Sequence, residues 1–193
     1  MGSNGGVDLN RNFDIHWSDK GGASTDPSSD AYRGPSAFSE PESRAIRDYY
    51  ASLKTVVGAI DYHCFSQLIL RPLGFEGTAE HEPILKELGD KMSQAIYKVD
   101  NKKYKSIRII DLYKATGSGI DFFYDQKRRV NGLSVRPYAM AYELRPSSQW
   151  GGGGDFVVKP SVILPTAREI YASNLEFIKQ VLTRPLNSTT SAF

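Results

Sequence analysis

Apolar positions along this chain change period several times, and the changes mark out alternating strands and helices. Val56, Val57, Ala59 and Ile60 form a short, branched run that predicts a strand over 56–63, buried on both faces, with His63 at its carboxyl end. Leu68, Ile69 and Leu70 predict a second short strand, stopped by Pro72 and Gly74. The stretch 107–112 also reads as a strand, and 138–144 as one that delivers Glu143 near its end. Helical spacing links Ile46, Tyr49, Tyr50 and Leu53 after a capping box at Ser39 and Glu42 with Pro41 in the first turn, which predicts a helix over about 40–54. Ile84, Leu88, Met92, Ala95 and Ile96 share a core stripe over 83–99. Tyr171, Leu175, Ile178 and Leu182 line up on a final helix behind a second capping box at Thr166 and Glu169.

The intervening segments are polar or rich in turn residues. Residues 14–38 carry Gly, Ser, Asp and Pro without apolar period and read as a long ordered loop over a surface near a site. Thr116-Gly117-Ser118-Gly119 reads as a flexible turn opening a helix at Ile120, and 187–191 as a frayed polar tail. Strands alternating with helices predict a layered α/β domain with a parallel or mixed sheet, without internal repeats.

Composition narrows the class further. At 193 residues and 40% hydrophobic, the chain has the size of one domain with a real core. Its 24 basic and 22 acidic residues leave a net charge of +2, which makes no electrostatic case for a nucleic-acid partner; the basic clusters at 127–129 and 102–105 read as solvated surface. No apolar run approaches the roughly 20 residues of a membrane helix, and the start of the chain lacks signal-peptide features. Cys64 is the single cysteine, so an internal disulfide is excluded; its flanks hold no activating base, and it reads as an inert thiol.

Three groups could carry chemistry. His63 lies at a strand terminus beside a polar loop, where open α/β sheets keep their sites, though a histidine there can equally be structural. Glu143 sits in an aromatic and apolar strand, so its carboxylate must be paired, metal-linked or raised in pKa. Asn10 and Arg11 offer donors suited to a carboxylate, yet such a pair can also be a surface salt-bridge partner. Asp61 and His63, two apart on one strand face, could also hold a metal in an unrelated fold.

Six ordered blocks decide between these readings. They are Gly6-Val7-Asp8-Leu9-Asn10-Arg11-Asn12-Phe13, Tyr32-Arg33-Gly34-Pro35-Ser36-Ala37-Phe38-Ser39, Asp61-Tyr62-His63-Cys64-Phe65-Ser66-Gln67, Tyr113-Lys114-Ala115-Thr116-Gly117-Ser118-Gly119-Ile120-Asp121, Tyr142-Glu143-Leu144-Arg145 and Ile163-Leu164-Pro165-Thr166-Ala167-Arg168-Glu169. In this order the chain resembles the pancreatic carboxypeptidase A/B family of zinc metallocarboxypeptidases. The resemblance implies a layered α/β/α fold around a central mixed, largely parallel sheet, a Zn²⁺ cofactor, secretion, and peptide or protein C-termini as substrates. It implies that His63 is a zinc ligand and Glu143 the general base. By the same likeness Asn10 and Arg11 hold the substrate's terminal carboxylate, Tyr113 closes over it, and Phe65 lines the cleft. Ile120 falls where the pocket for the last side chain is lined, which implies apolar or aromatic C-terminal residues.

The chain also departs from that pattern. It contains no His-x-x-Glu, the motif that supplies the other two zinc ligands, and no counterpart of the family's oxyanion-stabilising arginine. His16 reads as a loop residue and His81 as a surface residue before a helix, neither a ligand. Phe65 stands where a tyrosine is frequent, 127–137 is a longer connection, Pro146 replaces an acid, and four glycines at 151–154 lengthen the next loop. The expectation is a domain truncated at its N-terminus: residues 1–4 a tail, 5–184 the C-terminal part of a catalytic domain, and 185–193 a polar tail. Exposed sheet edges would then invite self-association or a partner, and a non-catalytic module that binds peptide C-termini is the alternative reading.

Overall fold

The computed structural model describes residues 5–145, 156 and 158–184. The two predicted tails, Pro146 and the glycine run at 151–154 lie outside the described residues.

A single 3-10 turn, Leu9–Arg11, precedes α1 (Pro41–Ser52), β1 (Gly58–Cys64), β2 (Leu68–Arg71), α2 (Glu82–Asp100), β3 (Lys105–Arg108) and the short α3 (Ile109–Leu112). Then come α4 (Gly119–Asp125), β4 (Arg128–Val130), β5 (Leu133–Val135), β6 (Tyr138–Leu144) and α5 (Pro160–Thr183). Four strands form one mixed sheet in the order β1-β6-β2-β3, in which β1 runs parallel to β6, β2 antiparallel to β6, and β3 parallel to β2. Helices α2 and α5 cover one face. Ser173 ties them to the sheet, accepting from the Tyr142 hydroxyl at 2.7 Å and donating to the Met92 carbonyl. On the opposite face lies α4, where Phe122 joins Phe13, Phe38 and Tyr50 in an aromatic cluster that brings in α1. The layered α/β/α architecture is thus as the sequence implied.

Several local expectations change. β1 is half-buried rather than buried on both faces, because β6 pairs with only one of its edges, and Tyr62 is left 49% exposed. The strand predicted over 107–112 stops at Arg108, since the Ile110 N–H turns to the Leu73 carbonyl and Arg108 pairs with Asp111 across a helical turn. At α1 the predicted box gives no side-chain cap, because the Ser39 hydroxyl is engaged by Asn12 and Glu40. The final helix starts at Pro160, which suits the first helical position; Thr166 lies inside it with its hydroxyl on the Val162 carbonyl.

The largest correction concerns the face of α5. Tyr171, Leu175, Ile178 and Leu182 are 48–71% exposed, whereas Ile170, Ser173, Phe177 and Val181 are buried. A helix apolar on two stripes does not declare which one meets the sheet. The connection 127–137 folds as a β4–β5 hairpin whose two loop residues, Asn131 and Gly132, both take positive φ, the conformation a type I′ turn demands. Among the described residues no helix is long and apolar enough to cross a membrane.

Candidate active site

The site begins with a glycine. Gly117 has φ +70°, and a side chain there would press on the carbonyls of Arg11 and Phe13. Its own carbonyl accepts from the Phe13 N–H at 3.0 Å and its N–H donates to Ile15 O at 2.9 Å. The segment read as a flexible turn is therefore a buried strut: Thr116 and Ser118 are fully covered, and it locks the Leu9–Arg11 turn against α4.

Within that turn, the Asp8 carboxylate accepts from the Asn10 N–H at 2.9 Å, and the Asn10 side-chain oxygen accepts from the Gly119 N–H at 2.8 Å. Asn10 thereby keeps its amide N–H groups available to donate. Arg11 bonds the Asn10 carbonyl through Nη1, and its guanidinium lies 5.7 Å from the Tyr113 ring centroid. Its Nε is buried and has no hydrogen-bond partner among the described residues, and its Nη1 lies 3.9 Å from the Asp8 carboxylate.

On the sheet, Asp61 and His63 share one face of β1, and His63 is paired in register with Glu143 on β6. His63 Nε2 lies 2.8 Å from Asp61 Oδ2. That hydrogen bond, with the nearby carboxylates of Glu143 and Asp8, raises the His63 pKa against the opposing effect of burial. Burial raises the Glu143 pKa, His63 offsets part of this, and Asp61 adds to it. A carboxyl raised towards neutrality is suited to taking and returning a proton.

The structure thus brings Asn10, Arg11, Tyr113, His63 and Glu143 to one region above α4. Ile120 is buried in the main core at the start of α4. Phe65 packs against Phe156 at 5.2 Å. His16 is a loop residue stacked on Phe75. His81, read as a surface residue, is instead buried at the start of α2 against Tyr124 and Tyr138.

Three residues in or beneath this region were missed from sequence. Asn12, fully buried, donates to Arg33 O and Ser39 Oγ and accepts from Ser43 Oγ, and so pins the loop 14–38. Asp61 reads from sequence only as a possible metal ligand, whereas in the structure it bonds His63. Asp121 is buried beneath the strut, where Gly74 N and Ser118 Oγ reach one carboxylate oxygen and the other lacks a partner among the described residues. An Asn-Arg-Asn step and carboxylates flanking predicted site residues were the available signals.

Burial pushes the Asp121 pKa up to about 6 from 3.8. A raised acid binds its proton more tightly folded than unfolded, so the domain loses stability as pH rises from about 4 to 6.5, by on the order of 3 kcal/mol. Asp121→Asn should lose this dependence and exceed the parent chain in stability at pH 7. Urea denaturation of both proteins at pH 4.5 and 7 checks it; equal pH dependence in the two would refute the assignment.

A catalytic zinc site uses three protein ligands. His63 suits one of them, with Nε2 engaged and Nδ1 left over. Among the described residues no group of three His, Cys, Asp or Glu side chains could hold an ion. The described residues therefore fit part of a zinc site and not a complete one. Asp61 and His63 bond each other, which leaves the two-residue metal site without support.

Fold and cluster together define an α/β enzyme-type domain with its polar groups gathered at the carboxyl ends of β1 and β6. Comparison with known proteins carries this further. The profile of the zinc carboxypeptidase family matches residues 2–173. Zinc carboxypeptidase A 1 of Anopheles gambiae is 35% identical over 185 residues, which cover 93% of this chain and 40% of that protein. The crystal structure of carboxypeptidase A from Helicoverpa armigera superposes with a TM-score of 0.80 at 30% identity, over 91% of this chain and 42% of that one. Bovine thrombin-activatable fibrinolysis inhibitor, solved in complex with tick carboxypeptidase inhibitor, gives a TM-score of 0.78 at 28% identity, over 92% of this chain and 57% of that one. The chain belongs to the zinc carboxypeptidase family, and it spans about two-fifths of the length of the curated relatives it matches.

Proposed function

We propose that residues 5–184 are the C-terminal part of the catalytic domain of a zinc carboxypeptidase that removes single C-terminal residues from peptides or proteins in an extracellular setting. The observation that supports this reading best is that the Leu9–Arg11 turn, with Arg11 beside Tyr113, is bonded through Asn10 to the start of α4, next to Asp61 and the His63 it holds in register with Glu143. In it, Arg11 and the Asn10 amide clamp the terminal carboxylate of the substrate, and Tyr113 closes on it. The clamp fixes which peptide bond reaches Glu143, so exopeptidase selectivity follows from geometry. Glu143 takes a proton from the attacking water and passes it to the leaving amine. Ile120, buried at the start of α4, backs the position of the last side chain with apolar rather than acidic substance, which favours apolar or aromatic residues there, and Phe65 lines the cleft. His63 contributes one zinc ligand, and a zinc ion completed by two ligands from outside this chain would supply Lewis-acid polarisation of the carbonyl.

A second reading has its own support. The edge of β1 that is unpaired among the described residues and the exposed α5 stripe flank an apolar groove of about 530 Å³ lined by Tyr62, Cys64, Phe156, Ile163 and Tyr171. Such a surface suits self-association or a partner protein, and a module that binds C-termini without hydrolysing them would use the clamp at Asn10 and Arg11 instead.

One preparation tests both. The chain by itself should release no phenylalanine from a blocked dipeptide, should sediment as more than a monomer, and should bind a free C-terminus more tightly than an amidated one. Joined to an upstream segment carrying a His-x-x-Glu and an arginine, it should hydrolyse the dipeptide, and a chelator should stop it. Chelator-sensitive turnover by the chain alone would overturn the account of the missing ligands.

A further inference from the structure

We infer that Asp61 is a positioning residue: its carboxylate holds the Nε2–H of His63 and so fixes the ring in the orientation and tautomer that turn the Nδ1 lone pair outward. The geometry is set by three elements. Along β1 the two side chains share a face, and the residue beside Asp61 on β6 is Ala141, too small to compete for the space. Above them is the start of α4, where Gly119 has no side chain; a Cβ there would lie 3.4 Å from Asp61 Oδ2 and 3.3 Å from the Phe13 ring. The Gly119 N–H is already given to Asn10, so it does not draw the carboxylate away. Asp61 Oδ2 is left with His63 Nε2, at 2.8 Å.

A neutral imidazole has one N–H and one lone pair, and an acceptor on one nitrogen places the lone pair on the other. Histidines that bind metals are commonly oriented by a carboxylate on the far ring nitrogen. Glu143, in register with His63, and Asp8 are the other carboxylates whose charge the ring feels. Among the described residues only Asp61 is bonded to it. That Nδ1 then faces zinc rests on the function proposed above, whereas the fixed ring does not.

Proton and ¹⁵N NMR of the metal-free chain, recorded above the pH at which the ring is neutral, distinguishes the two claims. The parent chain should show a hydrogen-bonded Nε2 proton for His63 and an unprotonated Nδ1. In Asp61→Ala that proton should exchange with water about tenfold faster or more, the change expected for loss of one charge-assisted bond. Asp61→Asn, which keeps an acceptor oxygen, should retain much of the protection, a rescue that a general packing role would not give. A parent chain whose Nε2 proton exchanges as fast as in Asp61→Ala, or whose neutral ring carries its proton on Nδ1, overturns the proposal. A protected Nε2 proton in a chain that never gains carboxypeptidase activity when completed would leave Asp61 in place and remove the function instead.

Discussion

Glutamine in place of Glu143 is expected to lower kcat of the completed enzyme about 10²- to 10⁴-fold, the usual contribution of a positioned acid–base group. KM should move little, because the carboxylate clamp at Asn10 and Arg11 is untouched. The substitution preserves volume and hydrogen-bonding shape while removing the ability to accept a proton. Folding should also survive it, since burial already disfavours the ionised carboxylate at this position. Steady-state kinetics on a blocked dipeptide, with a C-terminal inhibitor titrated in parallel, separates the outcomes. Retained turnover would remove Glu143 from its role, and a parallel loss of inhibitor binding would show collapse of the site rather than loss of a base.

Arg145→Met should be strongly destabilising, costing about 3–5 kcal/mol. Glu169 is 0% exposed, and Arg145 Nε donates to its Oε1 at 2.8 Å while Nη2 reaches its Oε2 and Asp100. The Tyr104 hydroxyl gives the same Oε1 a further hydrogen bond at 2.9 Å, and both burial and Glu169 push the Tyr104 pKa upward. Removing the guanidinium leaves a buried carboxylate without its cation. The cost is a large fraction of the stability of an ordinary domain, about 5–15 kcal/mol. Arg145→Met combined with Glu169→Leu should recover most of the loss, because an apolar replacement of both partners carries no stranded charge. Urea midpoints of the single and double variants measure this, and a double variant no more stable than the single would refute the pairing.

Some of this was open to a reader of the sequence. The runs at 56–63, 68–70 and 138–144 declared three of the four sheet strands, because branched and aromatic residues crowd onto a pleated surface. Asn10, Arg11, Tyr113, His63 and Glu143 could be chosen as a set only because six blocks occur in one order. Spacing could not bring Arg11 beside Tyr113, 102 positions away; Gly117 and its strut do that. The pairing of Arg145 with Glu169 was equally hidden, although each lies in a block singled out for other reasons.

By itself, then, the sequence determined the alternation of strands and helices, the chemical groups available and the family, since those depend on local periodicity and on residue identity. Tertiary structure alone decided which stripe of α5 is buried, that β1 runs parallel beside β6, that Asn12 binds the loop, and that Asp61 holds His63. These facts depend on which distant segment arrives as a neighbour, and a short-range pattern carries no information about that.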